Sequence, residues 1–175
     1  ASDVGRVRKL NEDSFLAAIP VALVADGMGG HTLGDQASQA VVATFETVFR
    51  AAAPTAPATV ISAISRANAA VRALTAEGER ARSVAGTTLA GVALVDLGLS
   101  PDGGAGFYWM AFNVGDSRVY SWDGSALSQV SVDHSAVQEL VEKGLITPEQ
   151  AATHPERNVI TRAIGVDEEA DADVW

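Results

Sequence analysis

The chain has 175 residues, which suits one domain large enough to bury a substantial core. Its composition is 47% apolar and 19% charged, and no apolar run approaches a membrane span, so it reads as a soluble globular domain and not as a disordered, fibrous or membrane-spanning chain. The net charge of −10 argues against nucleic acid as a partner, because such binding rests on Lys and Arg contacts to phosphates; the absence of Cys excludes disulfides and thiolate metal sites.

The N-terminal "ASDVGRVRKLNED" has no apolar signal segment, and a cytoplasmic location is the expectation. Residues 15–25 are apolar apart from Pro20, which predicts two short strands joined there, the second delivering Asp26 to a strand tip. Ala37, Val41, Thr44 and Val48 recur at helical spacing, as do Val60, Ile64, Ala67, Val71 and Leu74. Two helices are therefore expected, broken by "AAAPTAP" with its Pro54 and Pro57.

"TTLAGVALVDL", 87–97, is apolar on both faces, as befits a strand inside a layered fold. In the next strand Tyr108, Met110, Phe112 and Val114 share one face, the run breaks at Gly115 and Asp116, and Asp123-Gly124 signals a hairpin. Ser135 with Gln138, and Thr147 with Pro148 and Gln150, fit capping boxes for two short helices. The final "DEEADADVW" is acidic and carries no capping or turn signal; it reads as the edge of an ordered region, with no element assigned.

Four carboxylates stand where strands begin or end: Glu12, Asp13, Asp26 and Asp116. Carboxylates with carbonyl and water ligands suit hard cations such as Mg²⁺ and Mn²⁺, whereas a chain without Cys and with three His is poor in zinc or copper ligands. Glycines after Asp26 let the backbone turn tightly and expose the Gly27 carbonyl. Adjacent Glu12 and Asp13, if extended, point to opposite sides, so at most one touches a given metal directly while the other acts through water or holds the backbone. Taken singly, Asp-Gly and Gly-Asp-Ser are also ordinary turn chemistry, Glu12-Asp13 a solvated strand edge and Arg8 a surface charge. His31 has no partner that spacing can name and is not expected to be a catalytic base.

Six blocks, "SDVGRVRKLNEDSF", "VALVADGMGGH", "AGTTLAG", "FNVGDSRVY", "DHSAVQELVEKGLITPEQAATHP" and "RNVITRAIG", resemble in order and separation the bacterial branch of the metal-dependent, type 2C serine/threonine protein phosphatases. The resemblance covers residues 2–165. It implies an α+β fold, a four-layer α/β/β/α sandwich with two central antiparallel sheets, over a single catalytic domain at 1–175. By that resemblance Asp26 bridges two Mn²⁺ or Mg²⁺ ions, Gly27 offers its backbone carbonyl, Asp13 lies near the second metal with Glu12 acting indirectly beside it, and Arg8 grips the substrate phosphate. Asp116 corresponds to a ligand of a third, weaker metal, and 144–158 to a flap that influences substrate choice. The implied reaction is hydrolysis of phosphoserine and phosphothreonine in proteins by a metal-bridged water, opposing a cognate bacterial serine/threonine kinase. No protein nucleophile is required, and a monomer is favoured.

Two departures from the family pattern stand out. Met28 occupies the place of a His proposed as general acid in animal-type members. The "SDGL" and final "DN" blocks, whose Asp residues complete the first metal site, do not occur, so the domain is expected to be C-terminally incomplete. The alternative is a catalytically incomplete fragment or pseudo-phosphatase that binds phosphoproteins without cleaving them.

Overall fold

A computed structural model describes residues 2–6, 10–28, 33–77, 85–99 and 103–175. The elements are β1(Asp13–Ala17), β2(Val21–Met28), α1(Leu33–Val48), α2(Pro57–Glu77), β3(Gly86–Thr87), β4(Leu89–Leu99), β5(Ala105–Val114), β6(Tyr120–Trp122), β7(Leu127–Gln129), α3(Ala136–Glu142), α4(Pro148–Ala151) and β8(Asp173–Val174). Among the described residues β1-β2-β4-β5-β8 form one antiparallel sheet, β3 pairing with the end of β2, and β6-β7 form a separate hairpin.

Alternation along the strands decides which face is covered. Val21, Leu23 and Ala25 of β2, Leu89, Ala93 and Val95 of β4, and Met110, Phe112 and Val114 of β5 point to one side, where α1 and α2 cover them. α1 contributes Ala37, Val41 and Phe45, and α2 contributes Val60, Ile64, Ala67 and Val71, the stripe that a 3.6-residue period predicts. Phe45 stacks on both Phe49 and Phe112, with ring centroids 5.6 and 5.7 Å apart, and so locks helix to sheet. Gly91 is where the aromatic packs closest, since a Cβ there would lie 2.6 Å from the Phe112 ring.

The opposite face is covered far less. Phe15, Val24, Phe107, Trp109 and Trp175 are exposed, while Val92 and Leu94 are half-buried, Val92 beside Tyr120 and Ser121 of the β6-β7 hairpin. The expectation that 87–97 is buried on both faces therefore holds fully only on the helix side. That stretch is also not continuous: the ladder is interrupted at Thr88, between β3 and β4, because the Thr88 hydroxyl takes the place of a backbone acceptor.

Two further expectations are corrected. Asp26 is not the last residue of its strand, because Gly27 and Met28 continue the ladder by pairing with Thr87 and Gly86. The acidic tail does form an element: Asp173 and Val174 pair with Asn113 and Phe112, a cross-strand match with no local signal in the sequence. Thr147 makes the complete capping box, whereas Ser135 makes half of one, since the Gln138 side chain turns to Glu142 instead of the cap. Among the described residues no helix is long and apolar enough to cross a membrane.

Candidate active site

The site begins as a consequence of strand register. Asp13 of β1 pairs directly with Asp26 of β2, so both carboxylates project from the face away from the helices, with Cβ atoms about 4.5–5.5 Å apart in such a pair. Two like charges placed opposite each other are unfavourable unless a cation lies between them. Both line a cleft of about 640 Å³ that also reaches Val24, Ser117, Arg118 and Tyr120. A neighbouring hollow brings Asp3, Arg6 and Asn11 against the same two carboxylates. Arg6 is a cation that the spacing argument overlooked.

Glu12 faces the other way, as alternation requires. One carboxyl oxygen, Oε1, is buried without a hydrogen-bond partner among the described residues, packed so close to Gly34 that a Cβ on that glycine would lie 2.6 Å from it. Its backbone carbonyl accepts from the Gly27 N–H at 3.1 Å and from Ser38 Oγ at 2.6 Å, tying the start of β1 to β2 and α1. Gly27 has no room for a side chain: a Cβ would lie 2.1 Å from the Gly34 carbonyl oxygen and 2.7 Å from that of Glu12. The glycine is required by the closeness of α1, a tighter reason than the turn the sequence suggests.

The Asp26 backbone is held from the far side by a pair of threonines. Its N–H donates to Thr88 Oγ1 at 3.0 Å, and its carbonyl accepts from the Thr88 N–H at 2.9 Å and from Thr87 Oγ1 at 3.0 Å. The Thr88 hydroxyl also shares a hydrogen bond of 2.6 Å with Ser117 Oγ, the residue after Asp116. Sequence reasoning missed both threonines; the available signal was a polar pair, "TT", set inside an otherwise apolar run.

Asp116 sits just beyond β5, where Gly115 adopts φ +103° and brings its backbone against Thr88. Burial pushes the Asp116 carboxyl above its usual range; its own amide opposes this, Asp133 adds to it and Arg118 offsets part. Arg118 is itself fastened to Asp133, Nε donating at 2.8 Å and the terminal amine at 2.5 Å, so its charge is largely committed. Buried His134 closes the loop from behind: its Nδ1 accepts from the Gly115 N–H at 3.2 Å, and Nε2 lies 3.2 Å from Asp173 Oδ2.

Arg8 and His31 lie outside the described residues. Residues 144–158 form a largely exposed arm containing α4, anchored where Ser135 bridges Ile160. Among the described residues no three acidic or imidazole groups converge on one point. Two opposed carboxylates beside the Gly27 backbone nevertheless fit a hard divalent cation, since Mg²⁺ commonly keeps several waters and takes only one or two carboxylates. Glu12 Oε1, buried and without a hydrogen-bond partner among the described residues, lies behind them on the α1 side.

A family model described as protein phosphatase 2C matches residues 6–164. The chain belongs to the protein phosphatase 2C family. A serine/threonine phosphatase, Stp, of Listeria welshimeri is 33% identical over 184 residues, spanning 99% of this chain and 69% of its own length. A crystal structure of the serine/threonine phosphatase MsPP from Mycobacterium smegmatis, in complex with cacodylate, superposes with a TM-score of 0.82 at 34% identity, over 100% of this chain and 69% of that one. The catalytic domain of the phosphatase PstP, solved with two manganese ions, gives 0.79 at 31% identity, over 100% and 70%. The α+β architecture of this protein phosphatase 2C member, helices on an antiparallel sheet, is that of these structures, and among the described residues β6-β7 form a separate two-stranded hairpin.

Proposed function

We propose that this protein phosphatase 2C member hydrolyses phosphoserine and phosphothreonine in proteins, with divalent cations held at Asp13 and Asp26. The observation carrying this reading is the cross-strand pairing of those two carboxylates, whose like charges a divalent cation between them would offset. Asp26, the Gly27 carbonyl and Asp13 would hold the ions, while Glu12 holds the backbone of Gly27 instead of reaching the cleft. Bound there, Mn²⁺ or Mg²⁺ ions supply charge neutralisation at the phosphoryl oxygens and a water acidic enough to attack at neutral pH.

The protein's own contribution is rigidity and charge placement. The Asp26 backbone is fixed by three hydrogen bonds, two with the hydroxyls of Thr87 and Thr88 and one from the Thr88 N–H, so the acceptor geometry exists before substrate arrives. Arg8 orients the phosphate through its planar fork of donors. Asp116 holds a further, weaker cation, and the arm at 144–158 contacts the protein around the phosphorylated residue. Met28 has no proton to give, so the leaving serine or threonine oxygen takes its proton from solvent. The natural counterpart is a serine/threonine kinase.

The test is phosphate release from phosphoserine and phosphothreonine peptides by the full-length protein with Mn²⁺. Release that requires Mn²⁺, stops on chelation and is lost in Asp26→Asn is expected. No release at saturating Mn²⁺ from protein with Asp26 intact overturns the proposal.

A further inference from the structure

The second threonine of the sequence motif "AGTTLAG", which holds the Asp26 backbone, also touches the other acidic segment of the site. Thr88 is 1% exposed. Its hydroxyl accepts the Asp26 N–H at 3.0 Å and shares a 2.6 Å hydrogen bond with Ser117 Oγ. In a regular antiparallel pair the Asp26 N–H would donate to a backbone carbonyl. Here a side chain stands in, and Thr88 returns only its own N–H, to the Asp26 carbonyl at 2.9 Å. The rest of Thr88 lies against Gly115, where a Cβ would come within 2.8 Å of the Thr88 methyl. Thr88 thus meets the residues on either side of Asp116 while holding Asp26 by two bonds.

We propose that Thr88 is a positioning residue whose hydroxyl ties the Asp26 backbone to the Asp116 loop, so that the two cation-binding segments keep a fixed separation and respond to each other. The inference rests on the metal-dependent reading above for its functional meaning, but the link is a property of the chain alone. A hydroxyl is needed because a single oxygen can accept one bond and donate or accept another. Valine has the same shape and can do neither. Groups that orient metal ligands in this way commonly change metal affinity by about 10–100-fold when removed.

The experiment compares Thr88→Val, Thr88→Ser and Ser117→Ala in the full-length protein. In chelator, amide hydrogen exchange is followed at Asp26 and at Asp116–Ser117. Thr88→Val is expected to accelerate exchange at least tenfold at both places, Thr88→Ser to restore protection, and Ser117→Ala to affect the Asp116 loop more than Asp26. Calorimetric titration with Mn²⁺ is expected to show about tenfold weaker binding in Thr88→Val and recovery in Thr88→Ser. The proposal is overturned if Thr88→Val leaves protection unchanged at either segment, or if Thr88→Ser is as impaired as Thr88→Val, which would make the effect one of packing. Should the unsubstituted protein neither bind Mn²⁺ nor release phosphate, the catalytic reading falls, and the exchange data still decide whether Thr88 links the two segments.

Discussion

Gly115 and His134 hold each other by two hydrogen bonds: the Gly115 N–H donates to His134 Nδ1 at 3.2 Å, and the His134 N–H donates to the Gly115 carbonyl at 2.9 Å. Because Nδ1 accepts, a neutral ring carries its proton on Nε2, which faces Asp173 Oδ2. The imidazole is therefore a two-sided spacer that sets the height of the Asp116 loop. His134→Asn, whose Oδ1 overlays Nδ1, is expected to keep the Gly115 bond. His134→Phe strands a buried N–H, a loss of about 1–3 kcal/mol. Thermal melts should rank wild type, His134→Asn and His134→Phe in that order, the last lower by roughly 2–4 °C for each kcal/mol lost.

The facing carboxylates of Asp13 and Asp26 give a prediction with opposite signs in two conditions. In chelator, Asp26→Asn or Asp13→Asn relieves like-charge repulsion across the strand pair and is expected to raise stability by about 0.2–1 kcal/mol. With excess Mn²⁺ the order reverses, because the unsubstituted protein gains binding energy that the variants cannot. Denaturant melts with and without Mn²⁺ check both halves, and a metal-induced stabilisation equal in all three proteins would refute the assignment.

Gly27→Ala is a steric test. The added methyl would meet the Gly34 carbonyl oxygen at 2.1 Å, which is backbone and cannot swing aside. Overpacking of this kind costs about 1–3 kcal/mol, and here it should also displace the carbonyl offered to a cation. A lower melting temperature together with weaker Mn²⁺ binding is expected; normal values of both would show that α1 can retreat from β2 freely.

Asp116 predicts a pH dependence. Its carboxyl titrates above the ordinary range in the folded chain, chiefly from burial. The folded state then holds this proton more tightly than the unfolded state does, so the group's contribution to stability is complete below about pH 3.9 and is lost as pH climbs through the raised folded value. At neutral pH and without metal, Asp116→Asn should therefore be the more stable protein, and the difference should vanish in acid. Melts in chelator from pH 3.5 to 7.5 measure it.

Strand and helix positions were legible wherever a local period existed. The α2 stripe Val60, Ile64, Ala67 and Val71 is read directly from spacing, and the opposite orientations of Glu12 and Asp13 follow from alternation alone. What stayed hidden depends on partners far along the chain. The Asp26–Thr88 bond joins residues 62 apart, and the His134–Asp173 contact residues 39 apart. The β8 pairing likewise requires Asn113 and Phe112, which nothing within "DEEADADVW" can announce. The site's two carboxylates were visible as types; their meeting across a register was not.

The uneven covering of the two sheet faces has an optical consequence. The three tryptophans, Trp109, Trp122 and Trp175, are 56%, 63% and 42% exposed, while the Phe45, Phe49 and Phe112 stack fills the helix side. Intrinsic tryptophan emission therefore reports whether something lies over the far face of the sheet and is nearly silent about assembly of the helix-packed core. A titration that blue-shifts this emission without changing the far-ultraviolet circular dichroism would be watching that face become covered, and unfolding of the core is better followed through the dichroism of α1 and α2.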